Sequence, residues 1–350
     1  FFFNYDGHID GKVRLTVVDG QAGLFTDEEL LESAGILWEP MEDVPATDAP
    51  LAGPRKGVTV RPAYTAEQVT AFASGDVITA FGEGFERAAS HTRTPRIPSG
   101  NMHLFHDVVE MDLAGGPWGR GYLKATLPIT PDLWFFDGHF HNDPCMPGTL
   151  MFEGSLQVMA FYLSALGFTA EKDGWIFEPV PDRPYKLRCR GQVTPASKEL
   201  VYEVFVAEII DGPEPTIVAD IMCTVDGLKA FHCRRMAIKL TPDHPLSDRE
   251  IAEITDAAGP VVEIDGFKYG QASLIACATG HPEQAFGKLY SVVPSGQRVP
   301  RLPAPPYHFM SRIASITEGP GGMKAGITVE SEYDLPPDAW YFAAHPSGRM

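Results

Sequence analysis

The sequence predicts an α+β fold in which a long antiparallel sheet wraps around one central helix. Two observations predict it. A mostly apolar stretch, residues 149 to 166, is long enough to form a buried helix. Four runs typical of strands follow this stretch, and the last two are joined by Asp226-Gly227, which is typical of a tight hairpin turn.

Each element is predicted from its own pattern. Residues 65 to 89 have a helical pattern, and two segments after them, around 103 to 111 and 121 to 127, alternate as strands do. A proline-rich turn then leads into the central helix, where Pro147 suits a position near the start. The later strands are predicted at residues 185 to 193, 200 to 210, 216 to 225 and 229 to 240.

Short motifs recur in the same order along the chain. Ala80-Phe81-Gly82 returns at 285 to 287, and Pro95-Arg96-Ile97-Pro98 returns with one change at 300 to 303, both at an offset of 205 positions. Trp134-Phe135-Phe136 returns as Trp340-Tyr341-Phe342 at an offset of 206, and Val18-Asp19-Gly20 is echoed at 225 to 227. Four ordered matches at nearly one offset indicate a repeated unit.

We therefore predict the end of one unit, one whole unit and the beginning of a third, and we expect the sequence to continue beyond both ends. Proline-rich, polar stretches suggest where the linkers lie. The predicted parts are the end of a preceding unit at 1 to 50, a linker with a helix at 51 to 97, the whole unit at 98 to 242, a second linker with a helix at 243 to 300, and the start of a following unit at 301 to 350.

Composition argues against several classes of function. The formal net charge of -18 would repel the phosphates of a nucleic acid. The apolar run at residues 156 to 168 is too short and too polar to cross a bilayer. The five cysteines are odd in number and never at CxxC spacing, which argues against a disulfide framework or a zinc site and favours the cytoplasm.

The most informative segment spans residues 134 to 157. It has the form W-F-F-x-x-H-F-x-x-D-P-x-M-P-G-x-L-x-x-E-x-x-x-Q, in which the histidine is His139 and the glutamate is Glu153. This pattern resembles the FabA-type 3-hydroxyacyl-acyl-carrier-protein dehydratases, and the resemblance extends over about residues 98 to 240. It implies a hotdog fold, arranged in tandem as a double hotdog. The tandem arrangement looks like the dehydratase region of polyunsaturated fatty acid synthases.

The resemblance also implies roles for four residues. His139 would be the base, Glu153 the acid, and the N–H of Gly148 would bind the thioester carbonyl. Gln157 lies one helical turn after Glu153 and could orient it. Enzymes of the FabA type usually carry aspartate at the acid position, so the glutamate leaves a side activity as enoyl isomerase open.

The chemistry explains why these residue types are needed. Removing water from a 3-hydroxyacyl thioester takes a proton from C2 and gives one to the hydroxyl on C3. A neutral imidazole is a suitable base because its usual pKa lies near neutral pH. A carboxyl group can be the acid only if burial keeps it protonated, and Glu153 stands in the least polar stretch of the unit.

The resemblance adds a geometric complication. In hotdog dimers of this family the histidine comes from one hotdog and the acid from the other, so His139 and Glu153 could belong to different sites. His345 aligns with His139 in the following unit. We expect His345 to be non-catalytic, because Asp-Pro-x-Met-Pro-Gly does not follow it.

Two further groups are weaker candidates. An apolar set could contact the acyl chain, although packing in the core explains it as well; its members are Phe140, Met151 and Phe152. A basic cluster could dock a carrier protein or the phosphate of its phosphopantetheine, and an ordinary solvated surface is an equal alternative; its members are Arg183, Lys186, Arg188 and Arg190.

The sequence thus predicts a dehydratase that forms 2-enoyl thioesters in polyunsaturated fatty acid or polyketide synthesis. Its substrates would be tethered by phosphopantetheine to an acyl carrier protein, with no bound metal or cofactor. We expect contacts with neighbouring hotdogs and a homodimer. The alternatives are a hotdog thioesterase and a non-catalytic structural module of a multienzyme.

Overall fold

The computed structural model describes residues 1–9, 11–47, 49–242, 259–292, 299–319, 324–336 and 338–346. The chain begins with a hairpin of β1 (Phe2–Ile9) and β2 (Lys12–Gln21), followed by the short helix α1 (Asp27–Leu31). Ile9 pairs with Lys12, so the turn of this hairpin lies between them. Val18-Asp19-Gly20 lies within β2, whereas Asp226-Gly227 in the segment that echoes it forms a turn between two strands.

The helical stretch predicted at 65 to 89 forms three short helices. They are α2 (Ala66–Ser74), α3 (Val77–Phe81) and a 3-10 helix at Glu86–Ser90. Thr65 and Gln68 form a capping box that begins α2, and Gly75, at φ +92°, ends it. The Arg96 guanidinium donates a hydrogen bond of 2.7 Å to the carbonyl of Ala73, near the end of α2.

A seven-stranded antiparallel sheet forms the body of the whole unit. The strands are β3 (Asp107–Asp112), β4 (Tyr122–Pro128), β5 (Trp175–Pro179), β6 (Lys186–Cys189), β7 (Glu199–Ile210), β8 (Thr216–Val225) and β9 (Leu228–Pro242). Their order across the sheet is β3-β4-β7-β8-β9-β5, with β6 also paired to β9. Sequence patterns predicted six of them, β8 at its observed ends and the other five with shifted ends. They missed β5, which is short and ends in proline.

The central helix lies inside this sheet. A one-turn helix, α4 (Phe135–Gly138), precedes the long α5 (Gly148–Ala165), most of whose residues are buried. Helix α5 contacts β4, β7, β8 and β9, so the sheet surrounds it. The predicted α+β fold class and hotdog arrangement are confirmed.

Gly154 allows α5 to approach the sheet closely. A Cβ atom at this position would lie 2.5 Å from the hydroxyl of Tyr202 on β7. Tyr202 is completely buried and its ring cannot move away without disturbing the core. The position after Glu153 therefore needs glycine for packing, and this packing fixes the helix that carries Glu153.

The C-terminal part of the chain repeats the order of elements seen before α5. The first residue of each element lies 205 positions after the first residue of its counterpart. The pairs are α6 (Gln271–Thr279) with α2, α7 (Pro282–Phe286) with α3, β12 (Arg312–Ile316) with β3, and α8 (Trp340–Ala344) with α4. Strand β13 (Val329–Glu332) pairs with β12, and a small hairpin of β10 (Glu263–Ile264) and β11 (Phe267–Lys268) precedes α6. Much of the predicted linker at 243 to 300 lies outside the described residues.

The recurring arginine has the same local role in both units. The guanidinium of Arg301 reaches the carbonyl of Gly280 at the end of α6, as Arg96 reaches the end of α2. A cation at a helix C-terminus satisfies carbonyls that have no partner within the helix. The repeated Pro-Arg motif is thus explained by helix capping.

Residues 33–43 form a strap across the outer face of the sheet. The strap is anchored by Ile36, whose N–H donates to the carbonyl of Lys229 at 2.8 Å, and by the ring of Trp38, which stacks on His232 with centroids 4.1 Å apart. Arg234 forms an ion pair with Asp43 at the end of the strap. These contacts cover part of the sheet face that α5 does not touch.

Candidate active site

Glu153 lies on α5, one turn after the start of the helix, and faces the C-terminal unit. Burial raises the pKa of its carboxyl group, and a hydrogen bond from Gln157 partly opposes that rise. A carboxyl group in such surroundings holds its proton at higher pH than usual, so it can donate a proton near neutrality.

Gln157 is fixed by three hydrogen bonds. Its Nε2 donates to Glu153 Oε1 at 2.9 Å and to the carbonyl of Met102 at 2.7 Å. Its Oε1 accepts from the N–H of Leu104 at 3.1 Å. Because the backbone bonds determine which end of the amide is the donor, Gln157 holds Glu153 in one orientation. The contact expected between Gln157 and Glu153 is present.

Two cavities meet at Glu153. The first, with a volume of about 460 Å³, lies between α5, β5 and the C-terminal unit, and its walls include Ile97, Leu156, Ile176, Phe177 and Ile238. The second, of about 420 Å³, is more open and mainly aromatic, and its walls include Trp134, Tyr307, Phe309, Tyr333 and Trp340. Glu153 and Met102 line both.

The C-terminal unit supplies one wall of each cavity through α8. Tyr341 lines both cavities, and His345, which follows α8, lines the first. The N–H of Ser99 donates to the carbonyl of Ala344 at 3.0 Å, and the rings of Trp134 and Trp340 lie 4.7 Å apart. The site around Glu153 is thus built from two consecutive units.

His139 is positioned by the turn that precedes α5. Its Nδ1 lies 2.9 Å from the carbonyl of Cys145. A carbonyl can only accept, so Nδ1 carries the proton of the neutral ring and Nε2 keeps a free lone pair. Burial lowers the pKa of this imidazole, while the hydrogen bond to Cys145 opposes the shift, and the balance favours the neutral form that a base requires.

His139 and Glu153 do not line a common cavity among the two described. The ring of Tyr307 lies against His139, at 5.5 Å between centroids, and the Tyr307 hydroxyl lies 2.7 Å from Thr149 Oγ1. Tyr307 and Thr149 both line the second cavity, so they stand between His139 and that space. Whether the two residues belong to one site or to two, which the sequence left open, stays a prediction, and of the two only Glu153 lines the described cavities.

Gly148 lies in the neighbourhood of His139. It is the first residue of α5, where backbone N–H groups have no partner within the helix. A Cβ atom on Gly148 would lie 3.6 Å from Cys189 Sγ, and neither Gly148 nor Cys189 lines the two described cavities. The predicted residues thus form two groups, one with His139 and Gly148 and one with Glu153 and Gln157.

The predicted acyl-contacting residues line neither cavity. Met151 is only 1% exposed and packs in the core, which fits the core-packing alternative, and its contact with substrate stays a prediction. Phe152 stacks on Tyr185 at 5.2 Å between centroids, and Phe140 lies over the ring of His139 at 4.0 Å. Leu156, further along α5, provides the apolar contact with the first cavity instead.

The basic cluster lies along an edge of the sheet. Lys186 and Arg188 are exposed in β6, and the exposed Arg190 follows that strand. Arg183 forms an ion pair with Glu208 at 3.7 Å. Part of this positive charge is therefore already balanced within the chain, and the docking role stays a prediction.

Met102 and Tyr341 were not expected near Glu153, and His345 was expected to be non-catalytic. All three line the first cavity. The Trp-Tyr-Phe repeat marked the position of α8, and the alignment of His345 with His139 was visible. The absence of the rest of the motif argued against a role for His345. The useful signal was the alignment of His345 with His139, because the structure places His345 in the wall of a cavity that Glu153 also lines.

Within the described parts of the chain, no group of three or more His, Cys, Asp or Glu side chains is arranged to hold a metal ion. The described helices include none that is both long and apolar enough to cross a membrane. All five cysteines are free thiols.

Comparisons with known proteins agree with the architecture of the whole unit. The model of the FabA-like domain family matches residues 97–234. One of the subunits of the polyunsaturated fatty acid synthase from Thraustochytrium sp. is 28% identical over 228 residues, which are 63% of this chain and 15% of that relative. The chain thus spans a small part of the length of this relative. The predicted resemblance to the FabA type is confirmed.

Several solved structures have a low overall similarity. The dehydratase heterocomplex ApeI:P from Xenorhabdus doucetiae is 15% identical with a TM-score of 0.30, over 41% of this chain and 86% of that one. A hypothetical thioesterase with coenzyme A from Streptococcus pneumoniae TIGR4 is 12% identical with a TM-score of 0.25, over 35% and 81%. The E. coli PaaI protein is 16% identical with a TM-score of 0.26, over 38% and 80%.

Proposed function

We propose that the FabA-like domain of this chain removes water from 3-hydroxyacyl thioesters and forms 2-enoyl thioesters. The observation that carries the proposal is the Glu153 carboxyl group, which has a raised pKa, is oriented by Gln157 and lies where two cavities meet. A protonated carboxyl group in such a place is suited to give its proton to a leaving hydroxyl.

The reaction needs one base and one acid. The base takes a proton from C2, the C3–O bond breaks, and the proton of Glu153 goes to the departing oxygen, so that water leaves and a double bond forms between C2 and C3. Atoms and charge balance once the base releases the proton taken from C2 and Glu153 regains one. No electrons are transferred to another molecule, so the proposal includes no metal and no redox cofactor.

We assign the base that works with Glu153 to His345, because both residues line the first cavity. His139 and Gly148 would then form a separate group, with His139 as a base and the N–H of Gly148 as a donor to a thioester carbonyl. We assign no acid to face His139 and expect turnover at the Glu153 site alone. The neutral ring and free Nε2 of His139 support a basic role there.

The wider context is also a proposal. A substrate held by phosphopantetheine on an acyl carrier protein suits a synthase of polyunsaturated fatty acids, and Lys186, Arg188 and Arg190 offer positive charge for an acidic carrier. Neighbouring hotdogs and a second copy of the chain are the other proposed partners. The free thiols fit a reducing compartment such as the cytoplasm.

An assay with a 3-hydroxyacyl N-acetylcysteamine thioester tests the function. A dehydratase produces enoyl-thioester absorbance, a thioesterase releases free thiol, and a non-catalytic module produces neither. We expect absorbance without thiol, and its loss in Glu153→Gln with an unchanged circular dichroism spectrum. Release of thiol alone, or full turnover by the variant, would contradict the proposal. Chromatography of the product would separate 2-enoyl from 3-enoyl isomers.

A further inference from the structure

The two cavities share a narrow set of wall residues. Among the residues that the structure describes, Met102, Glu153 and Tyr341 line both cavities. We call these three residues the waist. Because these three residues border both cavities, a molecule that extended from one cavity into the other past them would contact Met102, Tyr341 and the carboxyl group of Glu153.

The first unit holds its side of the waist in place. The carbonyl of Met102 accepts the hydrogen bond from Gln157 Nε2, and the same Nε2 donates to Glu153. Beside it, the indole N–H of Trp134 donates to the carbonyl of Asn101 at 2.8 Å. The backbone of Met102 therefore keeps a fixed position relative to the acid.

The second unit holds the opposite side. The hydroxyl of Tyr341 donates to the hydroxyl of Tyr333 at 3.2 Å. Its ring lies edge-on to Phe309, Trp340 and Phe342, at 5.8, 5.6 and 4.8 Å between centroids. A ring held by a hydrogen bond and three aromatic neighbours cannot move aside without disturbing them.

We propose that Met102 and Tyr341 restrict the site to substrates that carry no branch on C2. The proposal rests on the dehydratase function proposed above. If Glu153 gives its proton to the hydroxyl on C3, then C3 lies at the waist and C2 lies one bond away. The thioester end and the rest of the acyl chain extend into different cavities, and a methyl group on C2 would press against Met102 or Tyr341.

The chemistry itself does not select against such a branch. A 2-methyl-3-hydroxyacyl thioester still has one hydrogen on C2, so elimination of water remains possible. Discrimination would come from packing, and one methyl group that does not fit a rigid site typically changes kcat/KM by about tenfold or more. Shortening Met102 leaves the backbone carbonyl in place, so its hydrogen bond with Gln157 can persist while the waist widens.

The experiment compares 3-hydroxyhexanoyl and 2-methyl-3-hydroxyhexanoyl N-acetylcysteamine thioesters on the full chain. For the wild type we expect kcat/KM to favour the unbranched compound by about tenfold or more. Met102→Ala and Tyr341→Ala should each reduce this preference severalfold. Met41→Ala, which shortens a methionine that is 63% exposed on the strap, should keep both the activity and the preference.

The outcomes separate this proposal from the proposed function. If the wild type dehydrates both compounds equally well, or if both waist variants keep the wild-type preference, the inference about Met102 and Tyr341 is wrong and the dehydratase function stands. If neither compound is dehydrated, the proposed function fails. Calorimetric titration of the two thioesters then decides the steric claim, because equal affinities would overturn it and weaker binding of the branched one would support it.

Discussion

Glu153 depends on a balance between burial and one hydrogen bond. Burial raises the pKa of its carboxyl group, and the amide of Gln157 limits the rise by stabilising the charged form. The same amide also binds two backbone groups, at Met102 and Leu104, so it cannot turn away from Glu153. The surroundings of Glu153 therefore favour its protonated form and hold its carboxyl group in one orientation.

This balance predicts a pH dependence of stability. A carboxyl group with a raised pKa in the folded state binds more protons there than in the unfolded chain, so stability falls as pH rises from the unfolded value near 4.5 to the folded value. Glu153→Gln removes this titration, so its stability relative to the wild type should increase over that range. Urea unfolding at several pH values measures the difference, and a constant difference between the proteins would contradict the account.

The residues of the site differ in how far sequence could predict them. The contact between Glu153 and Gln157 follows from their spacing of one helical turn. The resemblance left open whether His139 and Glu153 share a site, because that depends on how neighbouring units pack in space. The repeat identified His345 as the counterpart of His139. Because His345 is far from Glu153 along the chain, the sequence did not indicate that these two residues line one cavity.

At the scale of elements, the position of α5 depends on Gly154, which has no side chain. The Tyr202 ring occupies the space beside Gly154. Gly154→Ala should lower stability by about 1 to 3 kcal/mol, because overpacking in the core outweighs the better helix propensity of alanine. Gly212→Ala is the matched control, since a Cβ atom there has open space around it.

Chemical denaturation of both glycine variants measures the effect, and Tyr202→Phe in the Gly154→Ala background should restore part of the loss. Equal stability of the two glycine variants would show that α5 does not need this close approach.

His232, on which Trp38 of the strap stacks, predicts a second pH dependence of stability. Burial, together with Arg188 and Lys229, lowers the pKa of His232 from 6.5 to about 4. The unfolded chain therefore takes up a proton between those values before the folded chain does, and stability falls as pH decreases from 6.5 to 4, by up to about 3 kcal/mol.

His232→Phe keeps an aromatic ring under Trp38 and removes the titration, so its stability should fall less in acid. Thermal unfolding at pH 7 and pH 4.5 compares the two proteins. His103, whose pKa is also lowered to about 4, should leave some acid sensitivity in the variant. The same loss of melting temperature in both proteins would contradict the effect assigned to His232.

Elements with strong local patterns were predictable. The apolar run gave α5 to within one residue at each end, and Asp226-Gly227 gave the hairpin of β8 and β9. The stretch at 65 to 89 divides because Gly75 and Gly82 adopt positive φ angles that end each helix. The N-terminal hairpin was missed, since both of its faces are largely exposed and the pattern lacks the alternation that burial imposes.

At the scale of the whole molecule, the segment that precedes β12 in the second unit contacts α4 of the first unit. The N–H of Ala304 donates to the carbonyl of Gly138 at 2.7 Å. A Cβ atom on Gly138 would overlap the carbonyl oxygen of Ala304, so this glycine allows the second unit to approach. The repeat motifs predicted two units, but the contact between them depends on tertiary structure that periodicity does not encode.

Gly138→Ala should therefore separate the units locally and widen the site around Glu153. We expect faster hydrogen exchange in residues 340 to 345 and at least tenfold lower kcat/KM, because small displacements of catalytic groups have large effects on rate. Gly212→Ala again serves as the control. Unchanged exchange and unchanged activity in Gly138→Ala would contradict a site that both units build.

The central claim is that Glu153 works with an imidazole from the following unit. The most direct measurement is the rate of enoyl-thioester formation by His345→Ala, His139→Ala and Glu153→Gln, compared with the wild type on one 3-hydroxyacyl thioester. We predict that His345→Ala and Glu153→Gln lose at least a hundredfold in kcat while His139→Ala retains turnover at the Glu153 site. Full activity of His345→Ala, with loss of activity in His139→Ala, would contradict the claim.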